Sequence, residues 1–291
     1  MHFNDLCVLG LTSKETAQLF RNKTRDNSNL EVYRDNVSGV IFIKDFQVES
    51  SVYSSGDYFN EPFEKMLATQ KLEDLGHIND RDRRLQSFKQ FYVGKSIVDF
   101  GCGAGDFLIQ ASKYTKKCLG VELQESHIKN LGEAGIHTIN NLSDAEDDSI
   151  DSIFFFHSFE HLNSPIDVLN QAYQKLSPGG KIIIEVPNAK DFLITYNVDE
   201  FIDFTLWSQH LILHTHRSIQ TFLENSNFKD VITTGVQRFP LSNHMTWLFK
   251  RKPGGHFSTL SAIDTPTLNE AYADALGKLG ANDTIVCIGE K

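Results

Sequence analysis

The chain has 291 residues with 38 acidic against 28 basic side chains, a formal net charge of −10 and a pI near 5.5. That acidity argues against broad binding to nucleic acid, and with no 18-residue apolar run and no basic region preceding an apolar signal core, no membrane span or secretory leader is expected. The expectation is a soluble, cytoplasmic protein holding one α/β domain with appendages.

In chain order, residues 1–57 read as an N-terminal cap. Its clearest element is a β-hairpin, with apolar runs at 30–34 and 40–43 flanking a turn at 35–39. Residues 58–94 are rich in Glu, Lys, Arg, Leu and Gln, with no proline after Pro62. They read as a helical lead-in to the first core strand. The core, 95–236, then alternates: strand 97–100, helix about 105–115, strand 118–122, helix about 124–133, strand 136–140, strand 150–156, helix about 165–176, strand 181–186, helix about 217–226 and strand about 229–235. Ser164 and Pro165 suit an N-cap and first helical position. This alternation predicts a parallel sheet with helices on both faces. After Val236 the pattern breaks into an insertion, a helical segment near 268–279 and a last strand near 284–288. Four cysteines (Cys7, Cys102, Cys118, Cys287) show no C-x-x-C spacing, which suggests neither a zinc cluster nor a disulfide framework.

The richest stretch follows the first core strand. Asp99 is followed by Gly101, Gly103 and Gly105 at alternate positions, then by a helical segment. Such glycines admit positive φ and let a ligand lie against main-chain N–H groups at a helix start. Glu122 closes the second strand, where a carboxylate can take both hydroxyls of a ribose, and Leu123 follows it. A dinucleotide fingerprint would need glycine where Asp106 stands. The D-x-G-x-G-x-G run instead resembles the first motif of class I S-adenosylmethionine-dependent methyltransferases. The Phe159-Glu160-His161-Leu162 segment and the Leu176-Ser177-Pro178-Gly179-Gly180 turn resemble later segments of that family, in family order, and the likeness covers about 95–236 closely. It implies a Rossmann-like, doubly wound, mostly parallel seven-stranded sheet with an antiparallel last strand, here with a hairpin cap and a late insertion. It also implies S-adenosylmethionine held by Asp99, Gly101, Gly103, Gly105, Glu122 and Leu123, with the loop 140–144 meeting the adenine.

Methyl transfer needs alignment above all, and a hydroxyl acceptor also needs a base. His157, Glu160 and His161 follow the fourth core strand, and His210 precedes a later helix. They resemble, with His157 in place of Glu, the E-x-x-E-H arrangement that binds a divalent ion in some small-RNA and quinone O-methyltransferases. The reading leaves a metal open and favours a metal-free base, with His161 and His210 first. His214 and His216 read as polar residues at a helix start. Arg238, Lys250, Arg251 and Lys252, with His244 and His256, form a local basic cluster suited to a phosphate or carboxylate on a small acceptor. The insertion and the hairpin resemble methyltransferases that accompany bacterial surface-polysaccharide synthesis, which implies a sugar or nucleotide-linked acceptor. The rival readings are a methyltransferase-like binding or scaffold protein without turnover, and a nucleotide-dependent oxidoreductase. Acceptor identity, the methylated atom and oligomeric state are open at this stage.

Overall fold

The computed structural model describes residues 2–55 and 70–291; the start of the expected lead-in, 58–69, lies outside them. The expected hairpin is present, with β2 (Val32–Asp35) antiparallel to β3 (Ile41–Ile43). Asp35 accepts the Val37 and Ser38 amides and so fixes the turn. The cap exceeds the hairpin. β1 (Ala17–Arg21) joins one edge, and Ile41 and Phe42 pair across the other edge with Leu213 and Ile212, far along the chain.

The main sheet contains β4 (Ser96–Phe100), β5 (Lys117–Val121), β6 (His137–Ile139), β7 (Ile150–Phe156), β8 (Leu176–Pro187), β10 (Lys229–Val236) and β11 (Thr284–Glu290); β9 is Ile212–Leu213 of the small sheet. Its order is β10-β11-β8-β7-β4-β5-β6. Only the β11 pairings are antiparallel. The seven-stranded Rossmann-like prediction therefore holds. β7 is a central strand because it is apolar on both faces. Phe154 and Phe156 pack on Phe107 and Phe88, while Phe155 meets Phe100 and Phe159 opposite. The chain runs outward from β4 through β5 to β6 and returns to β7 on the other side of β4. That reversal opens a crevice at the carboxyl ends of these strands.

Three local expectations need correction. The Pro178-Gly179-Gly180 turn is absorbed into β8 as an irregularity, where pairing with β7 jumps from Leu176 to Lys181. Ser164 stands at the N-cap position but its side chain makes no capping bond. The insertion contains a helix, Leu241–Lys250, whose buried face is largely polar: Ser242, Asn243, His244 and Thr246 accompany Trp247. Ser242 donates to Asp264 and His244 bonds the Tyr272 hydroxyl, so hydrogen bonding replaces the apolar period that would have announced it.

Candidate functional site

All three loop glycines have positive φ, +69°, +54° and +82° for Gly101, Gly103 and Gly105. A Cβ on Gly101 would stand 2.8 Å from Ser158 Cβ, whereas one on Gly103 would meet open space. Glu122 is fastened to this loop. One of its oxygens accepts the Gly103 amide at 2.7 Å and the other accepts the Leu123 and Gln124 amides at 2.7 and 2.8 Å. Gly101, Gly103, Glu122 and Leu123 line a cavity of about 320 Å³. Asn140 lines it too, while Asn141 turns away to cap the Leu142–Asp144 turn through the Ser143 amide.

Two of the six expected cofactor residues, Asp99 and Gly105, are not among the residues lining the cavity. A Cβ on Gly105 would overlap the Leu131 side chain, so this glycine serves helix packing and does not line the cavity. Asp99, on β4 just before the loop, is 3% exposed, and its Oδ1 has no hydrogen-bond partner. Burial pushes its carboxyl up to about 7, with Arg84 opposing and Glu122 adding to the shift.

The four histidine-site candidates converge on the same cavity. His157, His161 and His210 line it, and Glu160 is buried beneath them at 1% exposure. His157 stands immediately after β7 with φ +53°, a left-handed backbone that costs roughly 1–2 kcal/mol for a non-glycine residue. Its Nδ1 is 3.4 Å from Glu160 and its Nε2 is 3.3 Å from Glu185. Burial and the Arg238 charge pull its pKa down, yet the two carboxylates prevail and raise it. Burial would raise Glu160; His157, His161 and His210 outweigh it and hold the carboxyl low. Neither Glu160 oxygen makes a hydrogen bond.

His161 and His210 differ from His157. Their Nδ1 atoms lie 2.8 Å from the Gln209 carbonyl and 3.1 Å from the Thr205 carbonyl. A carbonyl only accepts, so each Nδ1 carries the proton and each neutral ring keeps its Nε2 lone pair. Burial, then the charge of His161, lowers His210 to about 4. One ligand atom each from Glu160, His161 and His210 falls within 4.8 Å of the others.

Sequence reading missed several wall residues: Tyr53 from the cap, and Trp207 and Gln209 from the segment before β9. It also missed Glu185, which is fully buried and takes Arg83 in two bonds (2.8 and 2.9 Å) and Arg84 at 2.7 Å. The signal was present as one charge inside the apolar run Ile182-Ile183-Ile184-Glu185-Val186. His216 does open a helix, but His214 is fully buried against Phe159 and Phe222. The expected basic cluster does not assemble. Arg238 and His256 line a second cavity where Arg238 is paired with Asp80; Arg251 and Lys252 line a third with Glu200 and Asp203; His244 faces Tyr272.

A family model described as a methyltransferase domain matches residues 73–233. No curated protein matches the sequence. Among solved structures, a SAM-dependent methyltransferase from Archaeoglobus fulgidus is similar at 20% identity and TM-score 0.52, over 78% of this chain and 97% of that one. A Thermotoga maritima SAM-dependent methyltransferase, described as a possible histamine N-methyltransferase, is similar at 15% identity and TM-score 0.52, over 79% and 98%. The 1,6-didemethyltoxoflavin-N1-methyltransferase of Burkholderia thailandensis is similar at 11% identity and TM-score 0.51, over 88% and 96%.

Proposed function

This chain belongs to the methyltransferase-domain family, and from that premise we propose that it is an S-adenosylmethionine-dependent enzyme that methylates a hydroxyl of a small acceptor. The observation that carries the proposal is one cavity with Gly101, Gly103, Glu122 and Leu123 on one side and His157, His161 and His210 on the other. The loop backbone would receive the methionyl part, Glu122 the ribose hydroxyls, and Asn140 the edge of the adenine. The sulfonium is already activated, so the chain mainly aligns donor and acceptor. His161 or His210 would take the acceptor proton on Nε2, its other nitrogen being tied to a carbonyl. His157, held between two buried carboxylates, is assigned to positioning. The oxidoreductase reading has no support in the family match. The dispersal of the basic residues removes the support for a phosphate on the acceptor; the sugar class rests on the resemblance of the insertion and hairpin.

The test is a pH–rate profile. A single rising limb, lost in His161→Ala or His210→Ala while S-adenosylhomocysteine affinity is kept, identifies the base; a limb near pH 4 points to His210. Activity surviving both substitutions at all pH values leaves alignment as the sole device. A second reading has one observation in its favour, the convergence of Glu160, His161 and His210 with a carboxylate free of hydrogen bonds. Carboxylate and imidazole suit a divalent transition metal, and carbonyl-bound Nδ1 atoms would orient both rings. Such an ion would acidify the acceptor hydroxyl. Chelation that abolishes turnover without displacing cofactor would establish it.

A further inference from the structure

A second cavity, about 460 Å³, lies beyond the site just described. Most of its wall comes from residues after 236, outside the stretch matched by the methyltransferase model. We propose that it is a binding subsite for an uncharged, hydroxyl-bearing ring, and that the methyl acceptor is long enough to reach from it into the cofactor cavity. The second clause rests on the proposed methyl-acceptor reading; the first does not.

The sheet fixes the relation between the two cavities. Phe156 of β7 pairs with Glu185 of β8, while Pro187 of β8 pairs with Thr284 of β11, which pairs with Val236 of β10. The segments that follow β7 and β10, bearing His157 and Arg238, therefore leave the sheet along one edge. Three strand spacings separate them, about 14 Å. A chain of contacts links the two cavities' linings: His157 to Glu185 at 3.3 Å, Glu185 to Arg83 at 2.8 Å, Arg83 to Asp80 at 3.1 Å. Asp80 then faces the second cavity, paired with Arg238.

The charges in the wall select against ions. Asp80 is already engaged by Arg83 and Arg238, and Asp264 accepts the Ser242 amide and hydroxyl. A phosphate would meet two carboxylates, and an ammonium would meet Arg238. What faces the space unspent is neutral. Phe239 and Phe257 are 37% and 36% exposed, with the His256 ring 5.4 and 3.8 Å from theirs. These are surfaces on which a flat or C–H-faced ring can stack. Asn269 Oδ1 is buried without a hydrogen-bond partner. An acceptor in that state calls for a ligand donor, since a buried polar atom left unmet is destabilising. Hydroxyls supply such donors and carry no charge.

Saturation-transfer NMR tests this on the full chain with saturating S-adenosylhomocysteine. The probes are the methyl pyranosides of glucose, galactose, mannose and N-acetylglucosamine, with adenosine and inorganic phosphate as comparison ligands. At least one pyranoside should receive saturation from the aromatic protons, undiminished by the cofactor product. The signal should fall to background in Phe239→Ala and in Asn269→Ala, whose folding is checked by thermal melting, and persist in His161→Ala. Transfer to adenosine alone, binding of phosphate alone, transfer to no probe, or a pyranoside signal unchanged in both variants would overturn the subsite. Calorimetry of S-adenosylhomocysteine on the same sample reads the methyltransferase assignment separately, so failure of either is distinguishable.

Discussion

Glu122 holds the loop and faces the ligand at once. Its three amide bonds keep the carboxylate in place before any ribose arrives, so its loss removes a ligand bond and loosens Gly103 together. Glu122→Ala should weaken S-adenosylmethionine and S-adenosylhomocysteine by a similar factor, since ribose does not change during transfer. A lost bond to a charged group is worth roughly 1.5–3 kcal/mol, about 10- to 150-fold in dissociation constant by calorimetry; equal affinity in a folded variant removes Glu122 from the site. Asp99 makes a different prediction. Its folded pKa is raised to about 7, so its contribution to stability is full below the unfolded value near 3.9 and is lost as pH rises through about 7. Urea titrations of the ligand-free protein should show stability falling over that window, on the order of 4 kcal/mol at most, and Asp99→Asn should flatten the fall. At this scale the sequence made Glu122 legible because an acid ended an apolar strand at the right distance. It could not separate Gly105 from Gly101 and Gly103: alternate glycines report permitted φ, and only the packed helix of Leu131 reveals which one faces protein.

The glycine loop and the lead-in helix Gln70–Ser87 are the elements whose failure should be most informative. Gly105→Ala places a Cβ against Leu131 in left-handed backbone, an overpacking cost of about 1–3 kcal/mol added to about 1–2 kcal/mol of strain. It should lower the melting temperature more than Gly103→Ala, whose Cβ meets open space. Gly103→Ala should in turn weaken the cofactor more per degree of melting lost, and the reverse ranking would contradict the division of labour between them. The helix reaches Glu185 through Arg83 and Arg84, whose side chains are 23% and 14% exposed over a carboxylate that is fully buried. Replacing both arginines by alanine leaves Glu185 only His157, and breaking a buried pair in this way costs roughly 3–5 kcal/mol. Glu185→Gln, which keeps hydrogen-bond capacity, should cost less in the same denaturant titration. Elements with strong period or caps were readable, including Pro165–Lys175 and β7. The helix Leu241–Lys250 and the two-residue β9 were not, because one is stabilised by polar contacts to Asp264 and Tyr272 and the other exists only through its partner β3.

For the molecule as a whole, cofactor product at a hundred times its dissociation constant should stabilise the folded state by about 2.7 kcal/mol. For a chain of this size that is a rise of roughly 5 °C in melting temperature, and the stabilisation is cut to about 0.3–1.4 kcal/mol in Glu122→Ala at the same ligand concentration. The alternation of strands and helices made the parallel main sheet legible, since each βα step is local; its strand order was not read from the sequence. The site's far wall and the scattering of the basic residues were not, because both depend on segments that meet only after the sheet has formed. The pairing of Ile41 with Leu213 carries this into time. The two partners stand about 170 residues apart, so their loop-closure entropy is met only once the intervening sheet has collapsed. The seam between β3 and β9 should therefore gain protection late, after the local β2–β3 hairpin and the main sheet. In pulse-labelled hydrogen exchange during refolding, the Ile43 amide, which bonds the Leu211 carbonyl, should stay labile after those of Ile153 and Phe154 are shielded. A cofactor crevice walled by Tyr53 and Trp207 would then be finished late, by the two ends of a loop that spans most of the protein.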